Sequence, residues 1–546
     1  MHHRVTKALA VVAAAAISLV PAAPAFADHG HDHGDTATPV KHLVIIFGEN
    51  VSFDHYFGAY PNAANPDGEP PFHARRGTPT VNGLSTALLT NNPNLNGANG
   101  SGAVNPFRLD RSQANTRSQN HAYGPEQAAM HSGLMDLFPI KVGTAGPPPN
   151  APPPAVTTKG LNMGYFDGNT VTAMWNYAQH FAMSDNSFNT TFGPSTPGVV
   201  NLVSGQTNGI TQVVNPSSNE VSDGSATGLS LIGDADPLGD ICSGPTKNQA
   251  AMGGKNVGDL LAAAGVSFGS FMGGFDLTIT NPNGTTGCNR STFSSVVNGT
   301  ITDYIPHHAF FQYHAGTINP AHTRPASLAE VGHDGPANHN YDTNDFFAAL
   351  KAHNLPAVSF LKAPAFQDAH PGNSDPLDEQ NFVVTVINAL QKSEFWQSTA
   401  VVIAYDDSDG WYDHVMSPIV NQSLSAADAL TGPGACGDGT NSALAGGEPS
   451  LTPHAQGRCG YGPRLPLLVV SPWARENFVD HSITDQSSIL RFIEDNWLNG
   501  QRIGNGSFDT IANSIDQMFD FDHHRDDDGR LFLDPATGLV VNHDGH

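Results

Sequence analysis

Two stretches far apart in the chain share one design: a run of β-forming residues that ends in a pair of oxygen-bearing side chains. Residues 43–48 run into Glu49 and Asn50, and residues 401–405 run into Asp406 and Asp407. Short apolar runs of this kind are typical of buried strands in an α/β sheet, which binds ligands at the carboxyl ends of its strands. Both pairs are therefore expected at one edge of the sheet. Three carboxylates and an amide repel one another unless a cation or a shared proton neutralises them, so the pattern predicts a metal site.

The rest of the chain alternates between strand and helix patterns. Helical periodicity covers residues 343–353, 379–392 and 487–497, and further apolar runs cover 357–361 and 465–470. This alternation predicts an α/β fold with a mostly parallel central sheet, flanked by helices on both faces and carrying loop-rich insertions.

The first residues are typical of an export signal. Residues 1–27 combine a basic start, a short apolar stretch and a small-x-small end, Ala25-Phe26-Ala27. This pattern predicts a signal peptide that is cleaved after Ala27, so the protein is expected to be secreted or periplasmic. The sequence has no other stretch of about 20 apolar residues, so no integral membrane span is predicted.

Composition divides the remainder into segments. Residues 28–40 are rich in histidine and aspartate and are expected to form a flexible leader, and 501–546 are expected to form an acidic C-terminal extension. The main domain is expected over 41–500. Within it, residues 60–105 are expected to be loop, and the Gly, Asn, Ser and Thr-rich stretch of about 206–300 is expected to be an insertion over the sheet.

Net charge bears on the possible binding partners, and the cysteines bear on disulfide bonds. The formal net charge of −26 disfavours bare nucleic acid, whose phosphates would be repelled. The four cysteines form two local pairs, Cys242 with Cys288 and Cys436 with Cys459, which two disulfides would explain, although three pairings are possible. A four-cysteine zinc site is the alternative, against which stands the absence of any CxxC spacing.

A candidate nucleophile lies in the segment Gly193-Pro194-Ser195-Thr196-Pro197. A hydroxyl held between prolines in a tight turn, just ahead of the apolar-rich residues 199–203, is suited to fixed nucleophilic attack. Alone, such a segment also fits an ordinary turn. A nearby cation would activate the serine by lowering its pKa.

Three segments resemble one protein family in the same order, namely residues 49–58, 193–197 and 405–415. Shorter matching stretches lie around His121, Glu126, His307, His308, His370 and Arg464. The family is the bacterial acid phosphatase and phospholipase C group of phosphoesterases, within the alkaline phosphatase superfamily. The resemblance runs from about Lys41 to Trp497 and implies an alkaline-phosphatase-like fold.

The resemblance also implies roles for individual residues. Ser195 would be the nucleophile and would form a phosphoserine intermediate. One divalent metal ion would be held by Glu49, Asn50, Ser195, Asp406 and Asp407. Catalytic histidines would line the phosphate pocket, namely His121, His308 and His370, with His307 as a substrate-binding neighbour. The implied substrates are small phosphate esters or phospholipid headgroups.

Two departures from the family pattern favour the acid phosphatase branch. Many phospholipase-like relatives have Asn-Arg where this chain has Gly198-Val199, and Asp-Glu where it has Asp406-Asp407. The alternative is a phospholipase C that cleaves phosphatidylcholine-type lipids to diacylglycerol and a phosphorylated headgroup. A non-catalytic protein that binds metal or phospholipid is the third hypothesis.

Overall fold

The computed structural model describes residues 36–146, 156–432, 434–437, 456–523 and 528–541. Within these residues nine strands build the central sheet, and we number them in chain order. They are β1 His42–Gly48, β2 Ala182–Phe188, β3 Phe268–Met272, β4 Asn340–Asp342, β5 Val358–Lys362, β6 Thr399–Tyr405, β7 Arg464–Val470, β8 Phe478–Asp480 and β9 Thr484–Asp485.

The central sheet is mostly parallel, as the sequence predicted. Its strand order is β4-β3-β5-β1-β6-β7-β2-β8, and β9 pairs with β2 beside β8. Only β7 is antiparallel to its neighbours β6 and β2. The strands β5, β1 and β6 therefore lie side by side and point the same way, so their carboxyl ends meet at one edge.

Ten α-helices accompany the sheet in the described residues. They are α1 Phe53–Phe57, α2 Thr86–Thr90, α3 Tyr123–Met130, α4 Phe138–Lys141, α5 Thr172–His180, α6 Ser195–Ser204, α7 Val257–Ala264, α8 Thr343–Lys351, α9 Pro376–Lys392 and α10 Gln486–Trp497. Helices α6, α7 and α10 pack together, and α5 packs against α9. Every residue of β1, β6 and β7 is buried. Since successive side chains of a strand point to opposite faces, the sheet is covered on both.

Local sequence explains where these elements begin. The β-branched run in β6, Val401-Val402-Ile403, suits a strand that is buried on both faces. Helix α9 begins after Asp375, whose carboxylate accepts hydrogen bonds from the Leu377 and Asp378 amides, and Pro376 occupies its first position.

Nine shorter strands of the described residues lie outside the central sheet. Six of them form three two-stranded sheets: Phe107–Arg108 with Gly164–Tyr165, Glu220–Ser222 with Leu229–Leu231, and Ser291–Ser294 with Gly299–Thr302. The other three form one sheet, in which Gln249–Met252 pairs with both Ile210–Val214 and Asp236–Pro237. Most of them belong to the stretch of about 206–300 that was expected to be an insertion. The predicted bounds of the insertion were too wide, because Phe268–Met272 within them is strand β3 of the central sheet. Its glycine and serine content hid two fully buried aromatic residues, Phe268 and Phe271.

The structure also differs from the expectations for other segments. Residues 60–105 are not entirely loop, since they contain α2. The end of the predicted flexible leader is anchored, because the Thr38 amide donates to Asn496 Oδ1 at 2.8 Å and Val40 is buried. The C-terminal extension contributes Met518, Phe519 and Leu533 to the main core.

Both expected disulfides are present, Cys242–Cys288 and Cys436–Cys459, which excludes the four-cysteine zinc site. None of the helices in the described residues is long and apolar enough to cross a membrane. The predicted signal peptide, residues 1–27, lies outside the described residues.

Candidate active site

The two strand-end pairs meet at the carboxyl edge of the sheet. Strands β1 and β6 are in register, with Gly48 opposite Tyr405, so the residues that follow them emerge at the same level. The Asn50 amide donates a hydrogen bond to Asp406 Oδ1 at 3.1 Å. Glu49, Asn50, Asp406 and Asp407 are all completely buried. The predicted convergence of the two pairs is therefore present.

Ser195 lies between these pairs, at the first residue of α6. Its Oγ is 3.1 Å from Glu49 Oε2 and 3.1 Å from Asp407 Oδ2. The sequence predicted a tight turn here, but Ser195 begins a ten-residue helix instead. Peptide N–H groups point out of a helix N-terminus, so this position favours negative charge on or near the serine oxygen.

The turn before Ser195 is held by a buried carboxylate. Gly193 has φ of 124°, a conformation that favours glycine, and its amide donates to Glu126 Oε2 at 3.2 Å. Ser408 donates to the other oxygen of Glu126 at 2.6 Å. Burial raises the pKa of Glu126 to about 7. Glu126 therefore connects the turn before Ser195 to the loop after β6.

Gly198 explains one departure from the family pattern. A Cβ at this position would lie 2.2 Å from the Asp406 carbonyl oxygen, so α6 approaches the end of β6 more closely than any side chain allows. The same carbonyl accepts a hydrogen bond from Gln486 Nε2 at 2.7 Å. Gly198 thus lets the helix that carries Ser195 press directly against the loop that carries Asp406 and Asp407.

Lys362 is a site residue that sequence reasoning missed. It is the last residue of β5, its exposed fraction is 1%, and its Nζ contacts Glu49 Oε1 and lies 3.2 Å from Asp406 Oδ2. Burial alone lowers the pKa of Lys362, but the Asp406 and Glu49 carboxylates outweigh burial and raise it. The signal was available, because Lys362 directly follows the predicted strand 357–361.

Asp368 is a second missed residue, and it connects two predicted histidines. His308 Nδ1 lies 3.1 Å from Glu49 Oε1 and 3.9 Å from Asp368 Oδ2. The His370 amide donates to Asp368 Oδ1 at 2.9 Å, and His370 Nδ1 lies 2.9 Å from the Pro371 carbonyl. Burial raises the pKa of Asp368 to about 7.

His121 completes the ring of histidines. Its Nδ1 lies 3.0 Å from both the Gln119 carbonyl and Asp409 Oδ1, and its ring centroid is 6.4 Å from that of His370. Both neighbours of Nδ1 are acceptors, so this nitrogen carries a hydrogen, and Nε2 is left to interact with another group. Asp409, which also accepts from Asn50 Nδ2 at 3.1 Å, was not singled out from the sequence.

His307 lies at the edge of this group. Its ring is 4.5 Å from that of His308, while its Nδ1 faces Asp236 Oδ1 at 3.6 Å. Its side chain is 28% exposed, against 4% for His308. The structure therefore brings all four predicted histidines to the site, with His307 on the side of the 206–256 segment.

The pKa values of the three carboxylates at the strand ends shift in different directions. Burial, and then the Asp406 charge, raise the pKa of Glu49 well above its ordinary value. Burial also raises the pKa of Asp407, although the His121 charge opposes this. Burial acts in the same direction on Asp406, but the adjacent Lys362 ammonium lowers the pKa of Asp406 below its ordinary value.

The oxygens at this point outnumber the hydrogens available to them. The Ser195 hydroxyl has one hydrogen and two carboxylate neighbours, and Asn50 Oδ1 is buried without a hydrogen-bond partner. Glu49, His308 and Asp368 also form a group whose ligand atoms lie close enough to hold a metal ion. Carboxylate, amide and hydroxyl oxygens suit a hard divalent cation, so the residues present fit the metal that the sequence predicted.

A cavity of about 400 Å³ lies beside the start of α6. Pro194, which precedes Ser195, forms part of its wall, and so do His121 and Tyr123 on one side and Asn219 and Asp234 on the other. The second side belongs to the segment between α6 and α7. This cavity offers room for a ligand beside the start of α6.

Four residues of the matching motifs serve structure rather than the site. Arg464 is fully buried and donates to Asp54 Oδ1 at 3.0 Å and Asp413 Oδ2 at 3.1 Å, while the His414 amide donates to Asp54 Oδ2 at 2.9 Å. The residue types would suit a metal site, but the guanidinium already supplies the cation. This network fastens α1 to the first residue of β7.

Comparison with known proteins agrees with the resemblance seen in the sequence. The sequence model of the phosphoesterase family matches residues 40–498. The chain is 25% identical over 502 residues to a non-hemolytic phospholipase C of Pseudomonas aeruginosa, covering 89% of this chain and 58% of that protein. It is 23% identical over 472 residues to phospholipase C B of Mycobacterium tuberculosis, covering 84% of this chain and 73% of the relative. The chain thus spans less than two thirds of the Pseudomonas protein's length.

Among solved structures, murine ectonucleotide pyrophosphatase/phosphodiesterase 5 is similar at 14% sequence identity with a TM-score of 0.31. That similarity covers 64% of this chain and 94% of the murine chain.

Proposed function

The chain belongs to the phosphoesterase family, and on that premise we propose that it is a metal-dependent phosphoesterase that hydrolyses phosphate esters through a phosphoserine on Ser195. One observation carries the proposal. Ser195 begins a helix, its hydroxyl lies 3.1 Å from two buried carboxylates, Glu49 and Asp407, and His308 Nδ1 lies 3.1 Å from the same Glu49. A nucleophile, acidic groups to accept its proton and donors for phosphoryl oxygens are thus brought together.

The first step forms a bond between Ser195 Oγ and phosphorus and breaks the bond to the leaving oxygen. The serine proton passes to Glu49 or Asp407, both of which lie within hydrogen-bond distance of Oγ. Attack in line places the leaving group on the far side of phosphorus. Water then breaks the Ser195–phosphorus bond and restores the hydroxyl.

The histidines act on the phosphoryl oxygens and the leaving group. His121 Nδ1 is held by the Gln119 carbonyl and Asp409, and His370 Nδ1 by the Pro371 carbonyl, which leaves each Nε2 for the substrate. Burial lowers the pKa of His121, but the charges of Asp407 and Asp409 outweigh burial and raise it, so the ring carries a second hydrogen on Nε2. His121 also lines the cavity beside Ser195, and we assign it as the donor of a proton to the leaving oxygen. His308 and His307 flank the opposite side.

One divalent metal ion would be held by Glu49, Asn50, Ser195, Asp406 and Asp407. When bound, it would lower the pKa of the Ser195 hydroxyl and neutralise phosphoryl charge. Asn50 Oδ1, buried without a hydrogen-bond partner, supports this donor set.

The substrate is a phosphate ester, and two classes compete. The pair Asp406-Asp407 supports an acid-phosphatase-like enzyme that acts on small monoesters, as the sequence suggested. The relatives named phospholipase C support a diesterase that acts on phospholipid headgroups. The two disulfides accord with a secreted or periplasmic enzyme in either case.

The test is to trap the phosphoserine. Wild type and Ser195→Ala are mixed with para-nitrophenyl phosphate, quenched in acid within milliseconds and weighed intact by mass spectrometry. Wild type should gain one phosphoryl group, which peptide mapping places on Ser195, and Ser195→Ala should neither gain it nor turn over. Ser101→Ala removes a hydroxyl from an exposed residue and should behave as wild type. Full turnover by folded Ser195→Ala would contradict the proposal.

A further inference from the structure

We propose that Asp234 makes this site select phosphodiester monoanions over phosphomonoester dianions, an inference that rests on Ser195 being the nucleophile. Asp234 lies in the segment between α6 and α7, outside the strand ends that supply the predicted chemistry. It is therefore a specificity-determining residue rather than part of the bond-breaking machinery.

The carboxylate of Asp234 is fixed at the nucleophile. Its Oδ1 accepts hydrogen bonds from the amide and the hydroxyl of Thr196, each at 3.0 Å, and Thr196 directly follows Ser195. The loop is held from behind, because Asn219 Nδ2 donates to the Asp234 carbonyl at 2.7 Å. A negative charge therefore stands beside the position that the phosphoryl group must occupy.

This charge has no permanently charged cation beside it among the described residues of the adjoining cavity. Among the described residues that line the adjoining cavity there is neither lysine nor arginine, and His121 supplies the one basic side chain. The charge also reaches the far wall of the site. Burial lowers the pKa of His307, but the charges of Asp234 and Asp236 outweigh burial and raise it.

A monoester and a diester differ in the charge that meets Asp234. Since the second pKa of a phosphate monoester is about 6, a monoester is a dianion at neutral pH, whereas a diester is a monoanion. Attack on a monoester leaves a dianionic phosphoserine. Attack on a diester leaves Ser195 bonded to a phosphorus that keeps its second ester arm and one negative charge. Repulsion from Asp234 is greater for the monoester at every stage.

Hydrogen bonding points the same way. The Thr196 amide follows the nucleophile in the first turn of α6, where peptide N–H groups have no acceptor within the helix. It already donates to Asp234 Oδ1, so it is not available to a phosphoryl oxygen. A monoester presents three non-bridging oxygens, whereas a diester presents two and so needs fewer donors. The cavity of about 400 Å³ beside Pro194 offers the space that a second, polar ester arm requires.

The experiment compares two substrates that release the same chromophore. Rates with para-nitrophenyl phosphate and bis-para-nitrophenyl phosphate are measured at pH about 7.5, where the first is a dianion and the second a monoanion. The enzymes are wild type, Asp234→Asn, Asp234→Ser, Asp234→Glu and the control Asp67→Asn, which removes the same charge from an exposed position. Asparagine keeps an acceptor for the Thr196 amide while losing the charge, and melting temperatures confirm folding.

Asp234→Asn should raise kcat/KM for the monoester by about tenfold or more, while the diester value changes by less than about threefold, because only the charge difference is removed. Asp234→Ser should shift the ratio in the same direction, and inorganic phosphate should inhibit both variants at lower concentrations than wild type. Asp234→Glu and Asp67→Asn should keep the wild-type ratio.

An unchanged ratio in both uncharged variants overturns the inference. Parallel changes for the two substrates also overturn it, since they would mark a purely structural role. Ser195→Ala in the same assay separates this failure from failure of the proposed function: its inactivity upholds the nucleophile whatever the Asp234 variants do, and its activity refutes the nucleophile itself.

Discussion

Replacing Lys362 with methionine should strongly destabilise the metal-free protein. The ammonium contacts Glu49 and lies 3.2 Å from Asp406 Oδ2, and it donates to the Gly48 carbonyl at 3.3 Å. Methionine keeps most of the side-chain volume and its apolar stem. The change therefore removes the positive charge and leaves two completely buried carboxylates beside each other.

The magnitude follows from charge and burial. At 3.2 Å and an effective dielectric constant of about 20, the attraction between Lys362 and Asp406 alone is about 5 kcal/mol. Desolvation offsets part of it in the intact protein, but the carboxylates remain buried in the variant. Removing one partner of a buried pair costs about 3–5 kcal/mol, and we expect a loss of unfolding free energy in that range.

The assay is urea unfolding in the presence of a chelator, followed by intrinsic fluorescence and by circular dichroism. Lys41→Met is the matched control, because Lys41 is exposed and precedes β1 in the sequence; its change should stay within about 0.5 kcal/mol. The double variant Lys362→Met with Glu49→Gln should lose less than the sum of the two single variants, because it removes one of the uncompensated charges.

A loss below about 1 kcal/mol for Lys362→Met would refute the reasoning. It would mean that the carboxylates take up protons at little cost and that the lysine is not their main counter-charge. A divalent cation should restore part of the stability of the variant, because it would replace the missing positive charge between the carboxylates. Failure of every divalent cation to do so would contradict the predicted metal site.

Three further predictions concern the scaffold and the metal. Arg464→Met should cost about 3–5 kcal/mol of unfolding free energy, because it leaves the carboxylates of Asp54 and Asp413 buried without a cation. A change within experimental error in urea unfolding would contradict this prediction. Gly198→Ala should cost about 1–3 kcal/mol and lower kcat by displacing α6, whereas Gly97→Ala, which meets open space, should change neither. Asn50→Ala should weaken divalent-metal binding about tenfold or more, as judged by the metal-induced rise in melting temperature, and an unchanged rise would remove Asn50 from the ligand set.

The sequence predicted the framework of the site because strand ends obey a simple rule. The runs before Glu49 and Asp406 are apolar and β-branched, and parallel strands place their carboxyl ends at one edge. No partner needs to be known for that inference. The convergence of Ser195 with both pairs depended on the family resemblance, since a serine between prolines fits an ordinary turn equally well.

Lys362 and Asp368 escaped because their roles depend on other parts of the chain. A lysine after a strand is ordinarily solvated, and its burial here follows from the carboxylates that β1 and β6 bring beside it. Asp368 precedes the predicted His370 by two residues but acts through His308 as well. Composition misled at β3 also, where glycine and serine suggested a loop although the strand is buried between β4 and β5.

The geometry divides the site into a part that sheet register fixes and a part that it does not. Glu49 and Asp406 follow β1 and β6, and Lys362 is the last residue of β5 between them and the sheet edge. The pairing of these three neighbouring strands sets the relative height of the three residues, so a shift of any one strand would break the ladder of the sheet. Asp234 contacts Thr196, the neighbour of Ser195, from a segment whose short strands pair mainly with one another. Substitutions in that segment can change the charge that meets the substrate without disturbing the strand ends. With the roles proposed for Ser195 and Asp234, bond breaking would be constrained by the core of the fold, whereas the choice of substrate would be open to change at one loop.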